Sequence, residues 1–310
     1  MNSVAYITHP AFLQHEMGQH HPESPARLHA ISDQLIAAGI EPFLLHRDAM
    51  QATREQIERV HEPAYVDEVF EAAPQEGLVW LDGDTAMNPH SLEAALHAAG
   101  ANVQAVDMVM AGEARRAFCA VRPPGHHAGR DRAMGFCIFN NIAVGAAHAI
   151  TVHGLERVAI VDFDVHHGNG TEDIFSGDNR VLMCSTFQHP FYPGTGAGDT
   201  APNIVNCPLP AMTDGADFRA TLRAHWLPVL EAFEPQLILV SAGFDGHIED
   251  DMAQLSLREP DYEWVTLEIC DLADRYADGR VVSTLEGGYN LSALGRSVAA
   301  HIRAMMDYRA

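Results

Sequence analysis

Six short apolar runs, separated by longer stretches of helical period, constrain the fold of this chain more tightly than any other feature. They occupy residues 4–7, 117–121, 158–161, 181–184, 237–240 and 281–285, and valine and isoleucine recur in them. Runs that are apolar almost throughout, rather than alternating, belong to strands covered on both faces, which is the habit of a parallel sheet with helical crossovers. The expected fold is therefore α/β, an open parallel sheet with helices on both faces. No linker rich in Pro, Gly or Ser divides the chain and no repeat of fixed period runs through it, so residues 1–310 read as a single domain.

Helix starts are also legible. Ser24 before Pro25 fits an N-cap followed by proline, and Thr53 with Gln56 fits a capping box. Ser91 is expected to cap a helix whose Leu92, Ala95, Leu96, Ala99, Val103, Val106 and Met110 form one core stripe. Residues 186–215 carry Pro190, Pro193, Pro202, Pro208 and Pro210 and read as a long irregular stretch, a candidate pocket wall.

Open parallel sheets bind ligands at the carboxyl ends of their strands. Four of the six runs lead directly into polar residues there: Arg122-Pro-Pro-Gly-His126-His127, Asp162-Phe-Asp164-Val-His166, Ser-Ala-Gly-Phe-Asp245 and Glu286-Gly-Gly-Tyr289. Side chains alternate along an extended strand, so Asp162, Asp164 and His166 share one face, rising ~3.3 Å per residue. Asp164 and His166 would then reach one metal ion, while Asp162 sits deeper and orients an imidazole. Asp245, after a turn of small residues, completes a set of two aspartates and one histidine, and three protein ligands with a free position describe a catalytic zinc site. Without a cation, such a buried acidic cluster would cost several kcal/mol per ion. His126 and His127, fixed by the Pro-Pro-Gly turn, are placed to flank a water and move its proton. Tyr289 can donate its hydroxyl to an oxyanion.

Charge and cysteine use narrow the partners. Acidic residues number 42 against 19 basic ones, all of them arginine, and the resulting net charge of −23 repels nucleic acid and anionic lipid. Cys119, Cys137, Cys184, Cys207 and Cys270 form no C-x-x-C pair, which suits reduced, buried thiols in the cytoplasm. No apolar stretch of roughly 18 residues and no leader-like N-terminus is present, so neither a membrane partner nor a signal peptide is expected.

The motifs HPESPAR (21–27), RPPGHHA (122–128), GFCIFNN (135–141), DFDVHHGNGT (162–171), FYPGTG (191–196), SAGFD (241–245) and LEGGYN (285–290) resemble those of the zinc-dependent histone deacetylase family, whose fold is shared with arginase. The resemblance implies one Zn²⁺ per chain on Asp164, His166 and Asp245, and Tyr289 as oxyanion donor. It implies His127 as the main proton shuttle and His126, paired with Asp162, as its electrostatic partner. Gly135, Phe136 and Tyr192 match the walls around a substrate methylene chain, and Asp84 or Asp82 the anchor for a substrate backbone. Family K⁺ ligands correspond to Asp162, Asp164, His166 and Ser185. Asn169 stands where several members carry aspartate, which places the chain nearer the second-class deacetylases and their bacterial amidohydrolase relatives; a neutral amide stabilises the His127 imidazolium less than a carboxylate would. The implied reaction is amide hydrolysis releasing acetate from an acylated amine. Met252, matching an apolar rim position, favours acyl-lysine. The acidic surface and Glu249, Asp250 and Asp251, which also read as solvated loop charges, suit a polycation such as an acetylpolyamine. Arginase-like chemistry on two manganese ions and a non-catalytic binding module are the remaining alternatives, and a homo-oligomer is left open.

Overall fold

The computed structural model describes residues 3–306. Its strands are β1 (Val4–Thr8), β2 (Leu44–Asp48), β3 (Val79–Trp80), β4 (Ala86–Met87), β5 (Arg116–Cys119), β6 (Val158–Asp162), β7 (Val181–Gln188), β8 (Ile204–Leu209), β9 (Leu237–Ala242) and β10 (Val281–Leu285). Eight of them form one sheet in the order β2-β1-β5-β10-β9-β6-β7-β8, and β3 pairs with β4 apart from it. Every neighbouring pair in the large sheet is parallel. All eight carboxyl ends therefore lie along one edge. The four strands that lead into polar residues, β5, β10, β9 and β6, are consecutive in the middle of that order, which is how segments far apart in sequence meet.

The helices are α1 (Ala26–Ala37), α2 (Arg54–Ile57), α3 (Pro63–Ala72), α4 (Ser91–Met110), α5 (Asn141–His153), α6 (Asn169–Phe175), α7 (Gly215–Phe233), α8 (Glu259–Tyr276) and α9 (Leu291–Met305). One group packs α4 against α5, with α4 on β1, β5 and β10 and α5 on β6 and β9; the other packs α1 and α8 on α9, with α8 reaching β9 and α7 reaching β7 and β8. Between them, β5, β6, β7, β9 and β10 are buried at every residue. This accounts for the unbroken apolar runs, since no face of these strands meets water.

The sheet is wider than the six runs indicate. β2 is buried only at Leu44 and then alternates between half-buried and exposed positions, and β8 carries Pro208 at an edge where the missing N–H costs no ladder bond. Strand β7 continues to Gln188, so the stretch 186–215 is less irregular than expected: it holds the end of one strand and all of another. The capping box at Thr53 and Gln56 is formed on both sides. Ser24 and Ser91 do not cap. Helix α1 begins after Pro25 without a side-chain cap, while Ser91 is the first helical residue and its buried hydroxyl meets Asn88 and His15. The single core stripe expected for α4 is also too narrow, because Ala94, Ala98, Ala101 and Ala105 are buried as well. All five cysteines are buried and none is in a disulfide, and among the described residues no helix is long and apolar enough to cross a membrane.

Candidate active site and metal centre

Strand β6 ends at Asp162, so the extended alternation does not carry Asp164 and His166 onto its face as the sequence pattern suggests. A tight loop does the work instead. Asp162 Oδ1 accepts from Asp164 N (3.0 Å) and Asp164 Oδ1 from His166 N (2.8 Å), so each carboxylate turns the backbone two residues on. The neighbouring ends complete the frame: Asp164 Oδ2 accepts from Gly287 N after β10 (2.8 Å), and Asp245 Oδ1, after β9, accepts from Val165 N (3.0 Å).

These bonds bring Asp164, His166 and Asp245 into one buried group whose donor atoms lie within 4.8 Å of one another. His166 Nδ1 sits 3.0 Å from Asp164 Oδ1 and 3.2 Å from Asp245 Oδ2. Asp245 Oδ2 is buried without a well-directed hydrogen bond. Two carboxylates crowd one ring nitrogen, an acidic hole that a single divalent cation fits. Glycines make it: a Cβ on Gly243 would lie 2.0 Å from Asp164 Oδ2, and one on Gly287 2.0 Å from Asp245 Oδ2. The electrostatics agree. Burial pushes Asp245 up to about 6, with Asp164 adding to it; burial opposes charge on His166, but Asp164 and Asp245 hold its proton and raise it to about 10. A bound cation would replace that proton.

The two histidines after β5 are held differently. His126 Nδ1 donates to Asp162 Oδ2 (2.9 Å) and His127 Nδ1 to Asn169 Oδ1 (2.7 Å). Burial disfavours charge on both. At His126 the carboxylates of Asp162, Asp164 and Glu286 outweigh burial and raise it to about 10, whereas His127, beside His126 and His166 and facing only an amide, is held well below the usual range. Two adjacent imidazoles thus have opposite proton affinities.

A cavity of about 260 Å³ opens above these groups. It is lined by Asp84, Pro124, His126, His127, Gly135, Phe136, His166, Phe191, Tyr192, Met252, Gly287 and Tyr289, which brings together every residue expected to contact substrate. Gly135 has φ +58°, and a Cβ there would come within 2.3 Å of the His127 ring. Tyr192 stands edge-on to His127 with centroids 5.4 Å apart, and Phe136 edge-on to Tyr289 at 6.0 Å. Burial, with Asp245 and Asp164 adding to it and Arg27 opposing, holds the Tyr289 hydroxyl well above its ordinary value, so it stays protonated. The two aspartates of the 82–84 turn separate: Asp82 Oδ1 accepts from Asp84 N and Thr85 N, whereas Asp84 reaches the cavity and accepts from Gly135 N (3.0 Å). Ser185 lies beside Asp162 in register on β7, its buried Oγ without a partner.

Three residues escaped the sequence reading. Glu286 accepts from Gly125 N (2.7 Å), His126 N (3.2 Å) and Ser241 Oγ (3.1 Å), locking the Pro-Pro-Gly turn to β9 and β10. Phe191 stacks on His166 at 5.4 Å. Asp250 is not a solvated loop charge: it is 5% exposed and accepts from Tyr289 N, Asn290 N and Met252 N. Only the LEGGYN context hinted at Glu286, and Asp250 stood out only as one of three acidic residues in a row.

Comparison with known proteins agrees with this arrangement. The Histone deacetylase domain family matches residues 21–305. A histone deacetylase-like amidohydrolase of Pseudomonas aeruginosa is 39% identical over 277 residues, covering 87% of this chain and 73% of its own. The human polyamine deacetylase HDAC10 is 38% identical over 301 residues, 92% of this chain and 44% of its own. The crystal structure of the HDA15 HD domain superposes with a TM-score of 0.91 at 34% identity, covering 98% of this chain and 89% of that one. By its match across nearly the whole sequence and by its fold, the chain belongs to the histone deacetylase family.

Proposed function

We propose that this deacetylase, one domain spanning residues 1–310, removes acyl groups from acyl-lysine side chains, with His127 moving protons and Tyr289 holding the oxyanion. The observation that carries the reading is the convergence, at the base of one aromatic-walled cavity, of the Asp164–His166–Asp245 group, the His126–His127 pair and the Tyr289 phenol. Zn²⁺ suits the donor set, and when bound it would polarise the acyl carbonyl and acidify a water. His127, kept neutral, accepts the proton of the attacking water and returns it to the departing amine. Asn169 fixes the tautomer, because Nδ1–H donates to the amide oxygen and leaves Nε2 free to accept. Asp162 holds the charged form of His126 beside it. Tyr289 donates to the oxygen of the tetrahedral adduct, and Gly135, Phe136 and Tyr192 enclose the methylene chain while Asp84 takes the substrate backbone.

Met252 at the cavity rim favours an apolar contact over a second ammonium group, which supports acyl-lysine. Acetylpolyamines are the second reading, supported by exposed Asp251 and the net charge of −23. The orphan Ser185 hydroxyl beside Asp162 supports a K⁺ site there with Asp164 and His166. The decisive experiment is turnover of acetyl-lysine peptides, longer acyl-lysines and acetylputrescine by the zinc-loaded enzyme, before and after chelation. Peptide turnover lost on chelation and restored by zinc is expected; preference for acetylputrescine would transfer the assignment to polyamines, and undiminished turnover without metal would reject the mechanism.

A further inference from the structure

Away from the cavity, the last turns of α4 and α5 bring a second set of metal-binding side chains together. Helices that link parallel strands run back against them, so their carboxyl ends lie at the opposite edge of the sheet from the cavity. Asp107 stands in the last turn of α4, and His148 and His153 in the last two turns of α5. Asp107 Oδ1 lies 2.8 Å from His148 Nε2 and 2.7 Å from His153 Nε2. Among the described residues, only this trio and Asp164–His166–Asp245 place three such donors within 4.8 Å of one another.

We infer that Asp107, His148 and His153 form a second transition-metal site, suited to Zn²⁺ or a similar divalent ion. Two imidazoles and a carboxylate are a tridentate zinc set with a fourth position open to water. Each ring now donates an Nε2–H to the shared oxygen. The ion takes the place of those two protons, each imidazole carrying its proton on Nδ1 instead. With metal–ligand distances of about 2.0–2.2 Å, tetrahedral donors stand about 3.4 Å apart, so the present contacts must open by roughly 0.6 Å. The side chains of Asp107 and His153 are 52% and 24% exposed, which gives both the freedom to move and a path for the ion. A net charge of −23 draws cations toward the surface.

Arg59 distinguishes a metal site from a plain hydrogen-bonded cluster. Its Nη1 donates to His148 Nδ1 (3.2 Å), which fixes that ring's proton on the nitrogen the metal needs. The guanidinium must therefore leave as the ion binds. Among the described residues Glu55, 84% exposed, pairs with it on the solvent side at 3.2 Å, and such surface pairs hold weakly. Removing Arg59 should then strengthen metal uptake, since it removes both a competing donor and a like charge.

The test is equilibrium dialysis of the holoenzyme against micromolar Zn²⁺, with metal counted per chain, beside thermal melts with and without added zinc. The wild type is expected to hold one more zinc than either His153→Ala or Asp107→Asn, and to gain melting temperature where they do not. Basal deacetylation should be equal in all three, and Arg59→Gln should tighten the extra zinc about tenfold. His153→Gln, which keeps the helix end polar, must behave as His153→Ala does. Equal metal content in wild type and variants, or an extra zinc that survives both substitutions, would overturn the inference.

Discussion

Asp250 gives the sharpest test of how the site is assembled, because it touches no reacting atom and yet holds the segment that presents Tyr289. Its Oδ2 accepts from Tyr289 N (2.6 Å) and Asn290 N (2.9 Å), and its Oδ1 from Met252 N (3.0 Å). Hydrogen bonds to a charged acceptor contribute about 1.5–3 kcal/mol each, and water recovers part of that at partly buried amides, so Asp250→Ala should cost about 2–4 kcal/mol of stability. The larger effect is on geometry. Misplacing a catalytic group by about 1 Å can cost about 10² in rate. We expect kcat on an acetyl-lysine peptide to fall ten- to hundredfold, with KM little changed and bound zinc unaffected, measured by steady-state kinetics and metal analysis. If Asp250 acts through Tyr289, Asp250→Ala added to Tyr289→Phe should cost little beyond Tyr289→Phe alone. Fully additive losses, or an unchanged kcat, would refute the coupling.

Tyr289→Phe alone should lower kcat by about 10²–10³, the range for losing one oxyanion donor, while leaving zinc content intact. Gly287→Ala, in a His153→Ala background that removes the second site, should abolish zinc retention, since its methyl would stand 2.0 Å from Asp245 Oδ2; a chain that still binds a full equivalent by metal analysis contradicts the proposed ligand set. Acid stability offers an independent check on the core. His301 is fully buried, bonded to Thr266 Oγ1 (2.6 Å) and Ser283 Oγ (2.8 Å), and burial pushes it down to about 3. Below about 6.5 the unfolded chain takes up a proton that the folded one refuses until about 3, so stability is lost as pH falls through that window, by at most about 1.4 kcal/mol per pH unit. His301→Gln should flatten urea-unfolding stability between those limits relative to wild type, and an equally steep profile would show that the ring is not the origin.

The fold was legible where burial is two-sided. Strands β5, β6, β7, β9 and β10 declare themselves as apolar runs, while β2 and β8 at the sheet edges carry half-polar patterns that resemble loop. The site was legible for a related reason: the polar residues follow directly on those runs, so a reader who sees the strands also sees what sits on their rim. What sequence could not supply was the local geometry. The 162–166 segment was expected to continue the strand and instead bends at Asp162, because the Asp162 and Asp164 side chains capture backbone amides two residues on. Asp250 was read as solvent-facing because a run of three acidic residues ordinarily is, and only the packed loop shows that three amides compensate its charge.

The order of the strands explains why this chemistry sits where it does. β10 joins the sheet between β5 and β9, although β5 precedes it by more than 160 residues, and its turn then spends Glu286 on the β5 loop and Gly287 on Asp164. One dipeptide therefore ties the turn that carries His126 and His127 to the Asp164–His166–Asp245 group. Glu286 is fully buried; burial pushes its carboxyl up to about 7, and His126 and the Gly125 amide act in the opposite direction. Glu286→Gln keeps the shape but must turn one amide N–H toward either the Gly125 and His126 amides or the Ser241 hydroxyl. The serine can rotate to accept whereas the amides cannot, so the substituted side chain should keep its oxygen on the turn and hold its geometry. Glu286→Ala frees the turn altogether. Turnover that falls steeply in the alanine variant and only modestly in the glutamine one is the expected result; equal losses would mean that the charge of Glu286, rather than its bonds to the turn, is what the site requires.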